Sequence, residues 1–308
     1  MDIDELNVYV ESGQIDELIR VSEARQCKAL SKIADRITED GRKRIVLLAG
    51  GSSSGKTTTA QRLATQLRVN DVEAMHMSTD DYFVGDARNP RDENGEFDYE
   101  TIECVDIERL TSDIAALMRG EAVHLRQFNF AIHVGFDSPS ATSLPEGGIV
   151  ILEGIHALNP RLSAAIAEES KFRLYIEPTT QPEVFATTKL SPVDARFLRR
   201  IVRDNRYRKM SPADTFRMWP KVVEGEEKWI MPFRKFADAE FDSGLIYELT
   251  VLKPFVAGLL QMYLLQNPQS ARARTMLSLL ACVHETDPLK VPGDSILRET
   301  IGGSQLDY

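Results

Sequence analysis

The stretch Gly50-Gly51-Ser52-Ser53-Ser54-Gly55-Lys56-Thr57 fits the spacing G-x-x-x-x-G-K-[ST]. Those residue types suit the binding of phosphate groups. Gly50, Gly51 and Gly55 let the backbone turn tightly and aim N–H groups at phosphate oxygens. Lys56 would reach the β- and γ-phosphates, and the Thr57 hydroxyl would sit on Mg²⁺. Thr58 follows on the opening turn of a helix, whose N-terminal end favours an anion. The bland alternative is a Ser/Gly turn between a strand and a helix. Here the apolar run Ile45–Ala49 comes before the loop and a helical pattern at Ala60–Leu67 comes after it, the context that phosphate binding needs.

Two acids belong with this loop. Glu73–Thr79 reads as a short strand ending in Asp80-Asp81-Tyr82-Phe83. Ligands of α/β sheets bind at the carboxyl ends of strands, which makes Asp80 the candidate base. A helix cap or a support behind Mg²⁺ is the competing role. Residues 148–154 read as a second buried strand ending in Glu153, an acid placed to help hold hydrated Mg²⁺.

Positive charge is concentrated in Arg196, Arg199, Arg200, Arg203, Arg206 and Arg208. Arg196, Arg199, Arg200 and Arg203 share a face at helical spacing. The nearby acids are only Asp194 and Asp204, and the guanidinium fork suits phosphate oxygens. A mobile arginine lid over a triphosphate is expected at about 190–210. The loop 84–100 is rich in Gly, Pro, Asn and Asp and long enough to bind substrate; it ends in Phe97-Asp98-Tyr99-Glu100. Residues 123–136 suggest an extended ribbon, on which Phe128, Phe130 and His133 could meet a ring.

The chain has 308 residues, 43% of them hydrophobic, and a net charge of −10. That bulk suffices for one large α/β domain with additions. The acidic balance argues against a general nucleic-acid or anionic-membrane binder. Cys27, Cys104 and Cys282 are odd in number and far apart, which suggests free thiols in a reducing cytosol. The acidic N-terminus lacks a signal-peptide pattern, and no apolar run reads as long enough to span a bilayer. A cytoplasmic location is expected.

The elements that must position these residues follow from periodicity. Residues 1–41 read as a helical N-terminal arm whose apolar face packs on the core. Residues 42–245 carry the phosphate-binding domain, with a helix from the loop to about Val69, another at Ile107–Met118, and a strand at Lys171–Glu177. Residues 211–253 mix Pro, Trp and acids. Residues 246–308 read as a helical extension, an α-hairpin of Ile246–Leu265 and Ala271–Val283 with a Pro/Gly-rich tail across the surface. The fold class is α/β, a parallel sheet flanked by helices.

With these parts in place, the chain resembles the phosphoribulokinase/uridine kinase family of P-loop kinases, in its long bacterial-type branch. The resemblance is carried by the phosphate loop, by Asp80-Asp81-Tyr82-Phe83, by residues 90–98 (Pro-Arg-Asp-Glu-Asn-Gly-Glu-Phe-Asp), and by residues 152–160 (Leu-Glu-Gly-Ile-His-Ala-Leu-Asn-Pro). Arg199-Arg200-Ile201-Val202-Arg203-Asp204 and the stretch from Ser295-Ile296-Leu297-Arg298-Glu299 to Ser304 complete it. It implies a kinase that uses ATP or GTP with Mg²⁺ and acts on the 5′-hydroxyl of a pyrimidine nucleoside, and it is compatible with a homo-oligomer. It implies that Asp80 is the catalytic carboxylate and that Asp98 holds the ribose hydroxyls. It brings Tyr82, Phe97, Phe128 and His133 to the acceptor, and Arg196, Arg199 and Arg203 to the lid. Glu153 falls on the acid at the end of the second buried strand. Two positions depart from the shorter uridine kinases: Phe128 stands where they usually have Tyr, and Asn129 where they have Asp. Residues 1–44 are too short for the synthetase-like domains that often precede the kinase in this branch. Other acceptors (a sugar phosphate, pantothenate or glycerate) stay open, as does a nucleotide sensor without turnover.

Overall fold

The structure is a computed structural model that describes residues 1–308 except 94, 131, 185–187 and 308. Asn94 of the loop motif lies outside the described residues. The chain begins with α1 (Ile3–Glu11), α2 (Ile15–Glu39), β1 (Ile45–Ala49), α3 (Lys56–Val69) and β2 (Ala74–Ser78). Next come α4 (Ile107–Met118), the ribbon β3 (Arg126–Asn129) and β4 (Val134–Asp137), β5 (Ile149–Glu153) and β6 (Lys171–Glu177). After the short pair β7 (Glu183–Val184) and β8 (Thr188–Lys189) come α5 (Pro192–Tyr207), α6 (Pro212–Trp229), α7 (Met231–Arg234) and β9 (Ala239–Asp242). The chain closes with α8 (Glu248–Gln266), α9 (Ala271–Ala281) and α10 (Arg298–Ile301).

Every residue of β1 and β5 is buried, as their continuous apolar sequence requires of strands covered on both faces. Both therefore lie inside a parallel sheet of order β2-β5-β1-β6-β9. Pairing Leu48 with Glu153 and Ser78 with Glu153 brings the carboxyl ends of β1, β2 and β5 to one edge. The phosphate loop, Asp80 and Glu153 leave the sheet together there. One face is covered by α2 and α3, through Leu30, Ile33, Leu63 and Leu67 against Val46, Leu48 and Ile151. The other is covered by α4, through Leu110, Ile114 and Leu117 against Ile45, Leu47 and Leu152.

A third cluster ties the two ends of the chain together. Leu6 and Ile19 from the N-terminal helices meet Phe197 and Ile201 of α5, Trp219 of α6, Leu252 of α8 and Leu280 of α9. The segment 211–253 is more regular than its composition suggests. The Ser211 capping box starts α6 with Pro212 in its first turn, and the buried Trp219 and Val222 hold the helix despite the internal Pro220. The four residues of β9 are too few to show a pattern in the sequence. Another expectation is corrected: α8, with a mean hydropathy of 1.3 over its apolar window, is long and apolar enough to cross a membrane by length and composition. Its Leu249, Val251, Leu252, Val256 and Leu260 are instead buried in the third cluster.

Helix α5 also differs from the expected mobile lid. Phe197, Leu198, Ile201 and Val202 alternate with Arg196, Arg199 and Arg200, and all seven are buried. A helix buried on its apolar and its arginine face is a core element. The acids that balance it come from far along the chain. Arg199 is 2.6 Å from Glu248 on α8, with both side chains 1% exposed, and Arg196 is 2.5 Å from Glu226 on α6.

Breaking such a pair strands a charge away from water. Glu248→Ala is expected to cost about 3–5 kcal/mol in urea unfolding. A loss below about 1 kcal/mol, the worth of an exposed pair, would contradict this role for Arg199–Glu248.

Candidate active site

The phosphate loop is shaped by two left-handed residues, Ser53 at φ +61° and Gly55 at φ +88°. Gly55 carries that angle without strain and opens α3. Gly51 is needed for a different reason, because a Cβ there would run into the Arg196 guanidinium. Arg196 Nη1 donates to the Ser52 carbonyl at 3.2 Å, and Arg199 Nη1 to the Ser54 carbonyl at 3.4 Å. A loop whose carbonyls turn toward cations presents its amide N–H groups the other way, toward an anion. Ser53 Oγ and Ser54 Oγ are buried with no hydrogen-bond partner among the described residues.

The loop forms one wall of a cavity of about 280 Å³. Ser52, Ser53, Gly55, Lys56 and Thr57 line it, along with Asp80 and Glu153 at the sheet edge. Lys56 Nζ donates to the Gly51 carbonyl at 3.2 Å, and Thr57 Oγ1 donates to Glu153 Oε1 at 3.2 Å. A hydroxyl beside a carboxylate is a hard-oxygen pair that fits Mg²⁺, an ion that keeps several waters and takes few protein ligands. Among the described residues no cluster of three or more His, Cys, Asp or Glu could hold a metal alone.

Burial and the neighbouring Glu153 raise the Asp80 carboxyl above its ordinary range, against the pull of Lys56 and Arg208. For Glu153, burial acts upward, but His76 and Lys56 outweigh it and hold the carboxyl below its usual range. Asp81, pushed up to about 6 mainly by burial, accepts from the Phe128 amide at 3.3 Å and fastens β3 to this edge.

Three arginines face the cavity: Arg200, Arg203 and Arg208. They converge on Asp204, which is fully buried. Arg200 lies 3.1 Å from its carboxylate, Arg203 2.8 Å and Arg208 3.8 Å. Arg200 Nη1 also donates to Ser52 Oγ at 2.8 Å. Burial lowers the affinity of Arg200 for its proton, and the adjacent Arg203 lowers it for both Arg200 and Arg208. Cations crowded in this way favour an incoming polyanion. The expected triphosphate contacts at Arg196 and Arg199 are corrected accordingly: these two hold the loop from behind.

The rest of the wall is aromatic. Phe83, Phe128 and Phe130 form a cluster with ring centroids 5.1–6.2 Å apart, and Phe83 reaches Tyr99 at 6.0 Å. Tyr99 and His133 meet over Asp86: the Tyr99 hydroxyl lies 2.8 Å from its Oδ1 and 2.9 Å from His133 Nδ1. Phe128 and His133 line the cavity. Tyr82, Phe97 and Asp98 do not line the cavity. The buried Tyr82 donates to Asp113 at 2.9 Å, Phe97 lies under the Arg91 guanidinium at 4.1 Å, and Asp98 accepts the Glu100 amide at 3.0 Å. Glu100 faces the cavity in place of Asp98, and burial raises its carboxyl to about 7. In an extended stretch the acids at 98 and 100 share a side, so sequence cannot choose between them. Gly50, Ser54 and Thr58 also stand behind the lining, and Thr58 Oγ1 donates to Glu299 at 3.4 Å.

The family model described as "Phosphoribulokinase / Uridine kinase family" matches residues 45–248. A uridine kinase of Deinococcus deserti is 26% identical over 201 residues, 65% of this chain and 87% of its own. A Staphylococcus aureus uridine kinase is 26% identical over 202 residues, with the same shares covered. The D-glycerate 3-kinase of Cryptococcus neoformans superposes with a TM-score of 0.39 at 13% identity, over 71% of this chain and 88% of that one. The matched span contains the phosphate loop, Asp80, Glu153 and the arginine helix, and the chain belongs to the phosphoribulokinase/uridine kinase family of phosphotransferases.

Proposed function

We propose that this kinase transfers the γ-phosphoryl group of ATP to the 5′-hydroxyl of a pyrimidine nucleoside, uridine or cytidine, in cytoplasmic pyrimidine salvage. The supporting observation is the single cavity in which the phosphate loop, Asp80 and an aromatic wall meet. Rings of this size stack well on a planar base.

In this reading Lys56 and the arginines at 200, 203 and 208 neutralise charge spreading over the transferred group. Thr57 and Glu153 would hold Mg²⁺, which supplies further charge neutralisation on the phosphate oxygens. Asp80 orients the acceptor hydroxyl and takes its proton. Phe128 and His133 flank the base, and Glu100 meets the nucleoside hydroxyls. Residues 42–245 form the kinase domain, buttressed by the helical additions 1–41 and 246–308. A sugar-phosphate acceptor would call on Arg88 and Arg91. Arg88 is paired with Asp106 at 3.1 Å, and Arg91 is bonded to the Gly95 carbonyl at 2.6 Å, both outside the cavity lining.

A panel assay tests the acceptor. With Mg²⁺ and ATP, ADP release is expected with uridine or cytidine and not with ribulose 5-phosphate, pantothenate or glycerate. Release confined to a non-nucleoside would discard the nucleoside reading, and tight ATP binding with no release would favour a sensor.

Asp80→Asn is expected to lower kcat by about 10²–10⁴-fold while leaving ATP affinity within a few-fold. Because a base must be ionised, kcat/KM should fall as pH drops through the raised Asp80 pKa. The acid limb should therefore lie above the ordinary aspartate value of about 3.9. Near-normal turnover in the variant would remove Asp80 as the base.

A further inference from the structure

The stretch from Ser295 to Ser304 lies beyond the family match at residues 45–248 and has no role in the chemistry above. In the structure it is not a loose tail. Ser295, Ile296 and Leu297 are at most 1% exposed. Ile296 packs against the phosphate loop so closely that a Cβ on Gly55 would meet its side chain. Leu297 and Ile301 join the cluster that contains α5. Arg298 fixes the turn by donating to the carbonyls of Pro292 at 3.2 Å and Gly302 at 3.0 Å. The segment is a strap clamped between the start of α3 and the arginine helix.

This strap delivers one carboxylate to the cavity. Glu299 lines it together with Ser52, Ser53 and Gly55, and accepts from Thr58 Oγ1 at 3.4 Å. A carboxylate is acceptor-only when ionised, so it repels phosphate oxygens and suits hydroxyl donors. A phosphate loop of this type cradles the α- and β-phosphates with its backbone, while its lysine reaches toward γ. Lys56 and Asp80 therefore mark the γ end. Thr58 follows Thr57 on α3; in the reading of the cavity as a triphosphate site, the α-phosphate and the sugar attached to it would lie on this side of the loop. The two oxygens of a carboxylate match the two vicinal hydroxyls of a ribose.

We propose that Glu299 is a specificity-determining residue for the phosphate donor, accepting hydrogen bonds from its 2′- and 3′-hydroxyls and so selecting ribonucleoside over deoxyribonucleoside triphosphates. The inference rests on the reading of the cavity as a kinase site for a nucleoside triphosphate. It deepens that reading at the donor end and leaves the acceptor open.

The test compares ATP with 2′-deoxyATP and 3′-deoxyATP in the full-length wild type, Glu299→Gln and Glu299→Ala. Binding is measured by calorimetry, and KM is measured with whichever acceptor is turned over. The wild type should prefer ATP by about tenfold or more, the worth of a hydrogen bond to a charged group. That ratio should shrink in Glu299→Gln and approach one in Glu299→Ala, with kcat for ATP largely kept. The same ratio in all three proteins would overturn the proposal. A changed ratio of ATP to GTP with an unchanged ribose ratio would overturn it too, because Glu299 would then face the base. Failure of the underlying reading looks different: the wild type would bind none of the three triphosphates. Glu299→Gln preserves shape, so a collapse of Glu299→Ala alone leaves the comparison intact.

Discussion

The organisation of this protein depends on how many arginines it can bring to one phosphate loop without driving them apart. About two turns of α5 supply Arg196, Arg199, Arg200 and Arg203, with Arg208 just beyond the helix, and three of these are nearly removed from water. Cations so placed repel one another and lose hydration, a cost that only close, hydrogen-bonded carboxylates offset. Glu226, Glu248 and Asp204 are those carboxylates, and each is buried.

The three acids divide the arginines into two sets. Glu226 and Glu248 hold Arg196 and Arg199 behind the loop, where the guanidinium groups take the Ser52 and Ser54 carbonyls. Asp204 holds Arg200, Arg203 and Arg208 at its face. The first set fixes the shape of the anion site and the second supplies its charge. Because Glu248 sits on α8 and Ile296 packs on Gly55, the C-terminal elements belong to the same construction as the loop. This explains why one hydrophobic cluster runs from Ile3 to Ile301.

Local features were legible in the sequence. The phosphate loop, β1, β5 and α4 follow from short-range spacing, and Asp80 and Glu153 from the rule that ligands gather at strand ends. What escaped depends on distant chain. Nothing near Arg196 or Arg199 announces Glu226 or Glu248, so an arginine face looked like a lid open to solvent. The buried apolar positions 197, 198, 201 and 202 between them were the available warning. Likewise Asp98 and Glu100 differ only in which one a turn consumes, and here Asp98 is spent capping the Glu100 amide.

The most direct test of this account is equilibrium binding of inorganic triphosphate to Asp204→Asn, at a temperature where the variant keeps its cooperative melt. The substitution preserves shape and removes one negative charge. If Asp204 acts by orienting Arg200, Arg203 and Arg208, binding should weaken by about tenfold or more, a loss of about 1.4 kcal/mol or greater. If only net charge mattered, the more positive site would bind triphosphate as tightly or more tightly, and that result would contradict the account.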